Sequence, residues 1–217
     1  MRSLAIVPLS AVVNDLGVQL DSQLTMADHV VVLSRSCFFY LRQLRSIKQA
    51  LTPDATRALI HAFIRSQLDY CNSVLADVSN QLLQKLQVVQ NTAACLVTGA
   101  KRCERMTPVL RELHWLPVRQ RIMFKTAVLA YKCQHGAAPQ YLQSYCESTS
   151  TCTGCRHLRS SQMRQLVVRR MRTKYGDCSF TVQGPRVWNS LPVELRAADI
   201  SQTVFRNKLK TYLFDIT

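Results

Sequence analysis

The chain has 217 residues, of which 47% are hydrophobic and 19% charged, and its net charge is +15. These proportions allow a real core and exclude a wholly disordered chain, and the length suits one ordinary domain with a smaller appendage. The charge is uneven, with 8 Lys and Arg against 6 acids in residues 1–100 and 20 against 7 in residues 101–217, which favours a polyanion partner: nucleic acid first, an acidic membrane surface second.

Nine scattered cysteines, an odd number, do not make a small disulfide framework. Arg2 followed by LAIVPL is too short, and too soon broken by Pro8, for a secretory signal. A reducing intracellular compartment, nucleus or cytoplasm, is therefore expected, with Cys37, Cys71, Cys95 and Cys133 as small buried hydrophobes. No apolar run reaches the roughly 18 residues of a membrane-spanning helix, so no transmembrane helix is expected; of the two polyanions nucleic acid is kept as the expected partner, and the membrane is not.

Residues 5–21 read as two β-rich pieces, around Ile6 and Val18, flanking a turn at Asn14-Asp15. A two-stranded ribbon is marginal alone, so it must lean on the following helices or be the edge of something larger. Thr25 with Asp28 has the capping-box form and starts a helix to about Ala50, with an apolar seam of Val30, Leu33, Cys37, Tyr40, Leu44, Ile47 and Leu51. Arg35, Arg42 and Arg45 project from its other side within about 80° of one another, as a solvated face or a phosphate-contacting stripe. Thr52-Pro53-Asp54 starts a second helix whose buried side is read as Leu59, Ala62, Phe63 and Leu68. Asp69 beside Tyr70 is a lone carboxylate and cannot hold the two metal ions of a polymerase site.

Residues 80–102 form the helix about which the others are arranged. Leu82, Leu86, Val89, Ala93 and Leu96 keep helical spacing, Ser79 or Asn80 can cap it, and Gly99 can close it. Thr107-Pro108 opens a short helix to Glu112, and Pro117 starts a long one ending at Gly136. That helix is apolar around much of its girth, with Arg121, Lys125 and Lys132 as its basic line. Beyond Pro139, residues 147–164 read as a loop, 166–168 and 179–182 as strands, Gly184-Pro185 as a turn, and Pro192 as the start of a short helix. Trp188 is expected to pack. Ser201 caps a last helix with Val204, Phe205, Leu209 and Leu213 inward.

Cys146, Cys152, Cys155 and His157 could supply four zinc ligands in number, but Cys-x-His is cramped for tetrahedral closure and no second paired-ligand knuckle follows. No GxSxG, Walker loop or GxGxxG is present, so no catalytic residues and no cofactor are assigned. The sharpest functional signal is residues 156–174, with seven basic residues and no acidic one. Arginines there can bind phosphates bidentately, while Tyr175, Phe180 or Trp188 could stack on bases.

Several stretches taken together resemble the region after the polymerase core of LINE-type, non-LTR, jockey-like retrotransposon reverse transcriptases. They are DLGVQLDSQLTMADHV, FFYLRQLRSIKQALT, RSQLDYCNSVLADV, LLQKLQVVQNTAACLVTGAKR, TPVLRELHWLPVRQRIMFKTAVLAYKCQHG, APQYL, RTKYGDCSF, GPRVWNSLPVELR and FRNKLKTYLF, running from about Val12 to Phe214. The resemblance implies a thumb and C-terminal extension that pack against template–primer nucleic acid. It makes residues 5–21 the last strands beside a palm whose [FY]-x-D-D carboxylates are missing here, so this chain alone would not polymerise DNA. Arg169-Arg170 stands where that family often has Pro-Arg, and Cys152, Cys155 and Cys178 are departures too.

The expected architecture is mainly α: a β remnant in 1–23, a thumb-like helical bundle in 24–136, and a small basic α+β extension in 137–217. The expected function is sequence-tolerant, non-catalytic binding of RNA or DNA, with a palm from another chain as a further partner. Phosphate contacts are assigned to Arg35, Arg42, Arg45, Arg121, Lys125, Lys132, Arg164, Arg169, Arg170, Arg172 and Lys174. The competing reading is a helical protein-interaction module, or a retroelement remnant without selected activity.

Overall fold

The computed structural model describes residues 12–101, 104–150 and 164–217. Strands β1 (Val12–Asp15) and β2 (Val18–Asp21) pair antiparallel, with Asp15 opposite Val18. Leu16 and Gly17 make the turn with φ of 47° and 82°, as a two-residue type I′ loop requires. Asn14-Asp15 are thus strand residues and the turn lies just beyond them, where the Tyr70 hydroxyl donates to the Leu16 carbonyl at 2.6 Å. The ribbon leans on the helices: Val18 is buried, and the Gln19 amide donates to Nδ1 of buried His29 at 3.4 Å. The piece around Ile6 lies outside the described residues.

Helix α1 (Ala27–Ile47) continues as a 3₁₀ turn, Lys48–Ala50. The expected capping box does not form: Met26 is the N-cap, at φ 61°, with no side-chain cap bond. The Asp21 carboxylate accepts instead from the amides of Gln23 and Thr25 and from the Thr25 hydroxyl. Val30, Leu33, Cys37, Leu41 and Leu44 are buried, while Tyr40 is half-buried and Ile47 exposed, so the seam stops a turn early.

Helix α2 (Pro53–Ile60) starts as its sequence dictates, with the Thr52 hydroxyl accepting from the Ala55 amide at 3.2 Å. A π turn, His61–Arg65, joins it to α3 (Ser66–Asp69). The wider turn shifts the inward face, so Ile60, Ile64 and Leu68 are buried while Ala62 and Phe63, expected inside, are exposed. Cys71 then adopts φ 47° and a 3₁₀ turn, Asn72–Leu75, follows.

Helix α4 (Asn80–Thr98) is capped by Ser79 and closed by Gly99 at φ 80° as read, and Leu86, Val89, Ala93 and Leu96 are buried, whereas Leu82 of the expected stripe is half-buried and Leu83 is buried in its place. It packs against α1, α2 and α5 (Met106–Glu112). Helix α6 (Val118–Gln134) ends before Gly136, at φ 68°. Its first turns put Val118 and Ile122 into the core of α1–α5, and its later turns put Ala127, Ala130, Tyr131 and Cys133 into a second core.

That second core is closed by α9 (Phe180–Ser190) and α10 (Gln202–Asp215), which follow the short α7 (Gln140–Gln143) and α8 (Lys174–Asp177). The C-terminal part is helical rather than α+β: among the described residues no strand lies beyond Asp21. Residues 166–168 pair only through an isolated bridge between Leu166 and Ser148, and the Asn189 side-chain amide takes up both backbone groups of Leu166 at 2.8 Å. Residues 179–182 start α9 instead of a strand, and Gly184-Pro185 lies buried inside that helix instead of making a turn. Tertiary burial overrides local propensity here; a Cβ on Gly184 would come within 2.8 Å of the Phe180 ring. Pro192 precedes a 3₁₀ turn, Val193–Arg196, as expected. Ser201 caps α10, whose Phe205, Leu209 and Leu213 are buried, whereas Val204 is exposed. No helix among the described residues is long and apolar enough to cross a membrane.

Candidate nucleic-acid interface

The cations assigned to phosphate fall on three surfaces. On α1, Arg35, Arg42 and Arg45 are exposed and have no ion pair among the described residues. Phe39 stands in the same stripe, one turn from Arg35 and from Arg42, and is 55% exposed. The second surface is the extended segment around residue 170. Arg164, Arg170 and Arg172 are exposed there, Arg169 donates to the Glu147 carboxylate at 2.7 Å, and the Lys174 side chain lies outside the described residues. Trp188 cannot stack on a base, because it is 1% exposed and its indole N–H donates to the Arg164 carbonyl.

The third surface is a groove of about 1110 Å³ between the two cores. Arg121, Lys125 and Lys132 come from α6, Arg206 and Lys210 from α10, and Arg65 from the end of the π turn. Asp69 is the one carboxylate of the wall formed by these described residues. Half-buried Phe124 and Phe180 give it an apolar side.

Arg121 is not the exposed cation expected of a polar strip: it is 8% exposed and its Nε and Nη2 both donate to Asp69. The reason is the packing of α6 between two cores, which sets residue 121 against Asp69 at the end of α3. Lys125 is anchored too, donating to the Asp69 carbonyl at 2.6 Å and lying 3.4 Å from its carboxylate. Burial pushes the Asp69 carboxyl up, but Arg121, then Lys125, outweigh it and hold the carboxyl below its ordinary value.

One carboxylate does not balance this neighbourhood. Burial, then repulsion from Arg121, pushes Arg65 down to about 10, and Lys210 is lowered by burial and by the charges of Arg65 and Arg121. Arg65 lies over the Trp115 ring at 4.8 Å, with Nη1 3.1 Å from the His61 ring. Among the described residues, three enclosed donors of the groove-lining side chains meet no acceptor: Nε of Arg65, Nδ2 of Asn72 and Nη1 of Arg121.

Arg65, Asn72, Arg206 and Lys210 escaped the sequence reading. For α10 a signal existed, since Arg206 and Lys210 are four apart and share a helix face. For Arg65 and Asn72 there was none, because the π turn and left-handed Cys71 that orient them have no sequence signature.

Of the zinc candidates, Cys152, Cys155 and His157 lie outside the described residues. Cys146 is buried beside Cys133, and burial first of all pushes both thiols up, that of Cys146 to about 12. Among the described residues no group of three or more His, Cys, Asp or Glu side chains could hold a metal ion. No protein-family model, no curated protein and no solved structure matches the chain.

Proposed function

We propose that the chain is a non-catalytic nucleic-acid-binding module, corresponding to the thumb and following region of a non-LTR retrotransposon reverse transcriptase, in which cationic surfaces meet the phosphates of RNA or DNA. The observation that carries it is the charge imbalance of the groove, where six cations line a wall holding one carboxylate. Arg35, Arg42 and Arg45, which have no ion pair among the described residues, add with exposed Phe39 a second surface able to follow a backbone and stack a base. Family membership rests on the motifs quoted above, and a palm supplied by another chain is part of the same proposal.

Binding of the purified chain to single strands and to a hybrid duplex, titrated with salt, tests this. Affinity should fall steeply between low and moderate salt, as counterion release demands. Affinity indifferent both to salt and to reversal of the α1 arginines would defeat it. Mixing the chain with a separate palm polypeptide, and finding no primer extension, would end the two-chain version.

The protein-interaction reading has one observation in its favour: exposed Phe39 and Phe63 flank Tyr40, with ring centroids 5.6 and 5.1 Å from it. That reading expects partner capture to survive high salt and to fail on Phe39→Ser with Phe63→Ser.

A further inference from the structure

We propose that the groove between α6 and α10 is a nucleotide site, which binds a phosphate monoester on its cations and lays the attached base against Phe124 and Phe180. This rests on the reading of the groove as a phosphate-binding surface, but not on the binding of any polynucleotide.

The lining decides the ligand's chemistry. Arg121, Lys125, Arg206 and Lys210 offer the groove only donors, so a ligand there supplies acceptors. Asp69 holds Arg121 through Nε and Nη2, which leaves the Nη1 edge turned away from the carboxylate. Arg65, Arg121, Lys125 and Lys210 line the groove with one acid, an excess that a carboxylate ligand offsets by one charge and a phosphate monoester by nearly two. An ammonium or neutral ligand would add donors where acceptors are lacking.

Size and lining separate a nucleotide from a bare anion. A cavity of about 1110 Å³ lies just above the roughly 300–1,000 Å³ typical of small-molecule sites, far more than one phosphate fills. Phe124, Val128 and Phe180 give the cationic wall an apolar neighbour suited to an aromatic base. The π turn and the left-handed Cys71 bracket the segment that presents Arg65 and Asn72, and such irregular backbone gathers at binding sites.

Calorimetry on the full chain with adenosine monophosphate, adenosine and orthophosphate tests the site. Adenosine monophosphate should bind, and adenosine should not. Lys210→Gln, and the near-isosteric Asn72→Asp that places a carboxylate among the arginines, should each weaken the nucleotide about tenfold or more while keeping a cooperative melting transition. No binding by the wild-type chain, undiminished binding by both folded variants, or orthophosphate binding as tightly as the nucleotide would each overturn the proposal. So would an acidic peptide that displaces the nucleotide at equal concentration.

A 5′-phosphorylated oligonucleotide preferred over its hydroxyl-ended twin would assign the site to strand ends; equal affinity for the two, with the mononucleotide still bound, would assign it to free nucleotide. Changing Arg35, Arg42 and Arg45 together to Glu should leave nucleotide binding intact. A chain that binds the mononucleotide but no polynucleotide keeps this site and loses the function proposed above; the opposite result removes the site alone.

Discussion

Asp69 shows how far one side chain's role can shift between sequence and structure. As a lone acid beside a tyrosine it is no polymerase carboxylate; in the fold it is the counter-charge that lets Arg121 be buried. Asp69→Asn strands that guanidinium, and because the pair is not fully enclosed, unfolding free energy should drop by roughly 2–3 kcal/mol, read by chemical denaturation. The same change removes the groove's one described acid, so anion affinity should rise as stability falls. Two acid transitions are also expected. His29 is buried with its pKa lowered from 6.5 by desolvation, so the unfolded chain takes up the proton first, and stability declines as pH drops below 6.5. The Asp69 carboxyl is held below 3.8, so its contribution stands above that pH and is lost as pH falls through its lower folded value. Thermal unfolding followed against pH should show both declines, and His29→Gln should shrink the upper one without moving the lower, the remainder belonging to His61, which burial and then Arg65 also hold below 6.5.

At the scale of elements, α4 is where pattern and structure agree most closely. Leu86 is 1% exposed at the centre of that helix, and Leu86→Asp should cost several kcal/mol or abolish the cooperative transition, as an unpaired charge in a core does. The α2–α3 stretch is where they part. A helical period put Phe63 inside and passed over Ile60 and Ile64; the π turn accommodates an extra residue and turns Phe63 to the surface. For α1, the exposed arginines give a graded expectation: each of Arg35, Arg42 and Arg45 changed to Glu should reduce the salt-dependence slope of strand binding by about one. An unchanged slope would remove that face from the interface.

For the molecule as a whole, α6 is the element shared by its two cores. Helix α6 contributes Ile122 to one core and Ala127, Ala130 and Tyr131 to the other, and Tyr131 stacks on Phe205 with ring centroids 4.5 Å apart. The tail is anchored again where Nη2 of Arg111 donates to the Phe214 carbonyl at 2.7 Å. A chain ended at Gly136 should therefore expose the apolar later turns of α6 and either aggregate or melt well below the full chain. Calorimetry and light scattering on the two lengths check this. Because the groove lies along the same seam, its cations converge only when both cores are closed.

Much of this protein was written in residue order: the helices from their apolar periods, α2, α4 and α10 from Thr52, Ser79 and Ser201, and a cationic excess in need of an anion. Those features depend on neighbours within a few turns, where spacing and side-chain type suffice. The tertiary structure decided which cations are free and which are spent, since burial of Arg121 against Asp69 joins residues 52 positions apart and Lys210 reaches the groove from the last helix. It also decided that the C-terminal part is helical, because Asn189 meets the backbone of Leu166 and the buried Gly184 packs on Phe180. Charge can be counted along a chain; whether a charge meets an opposite one depends on distances that exist only after folding.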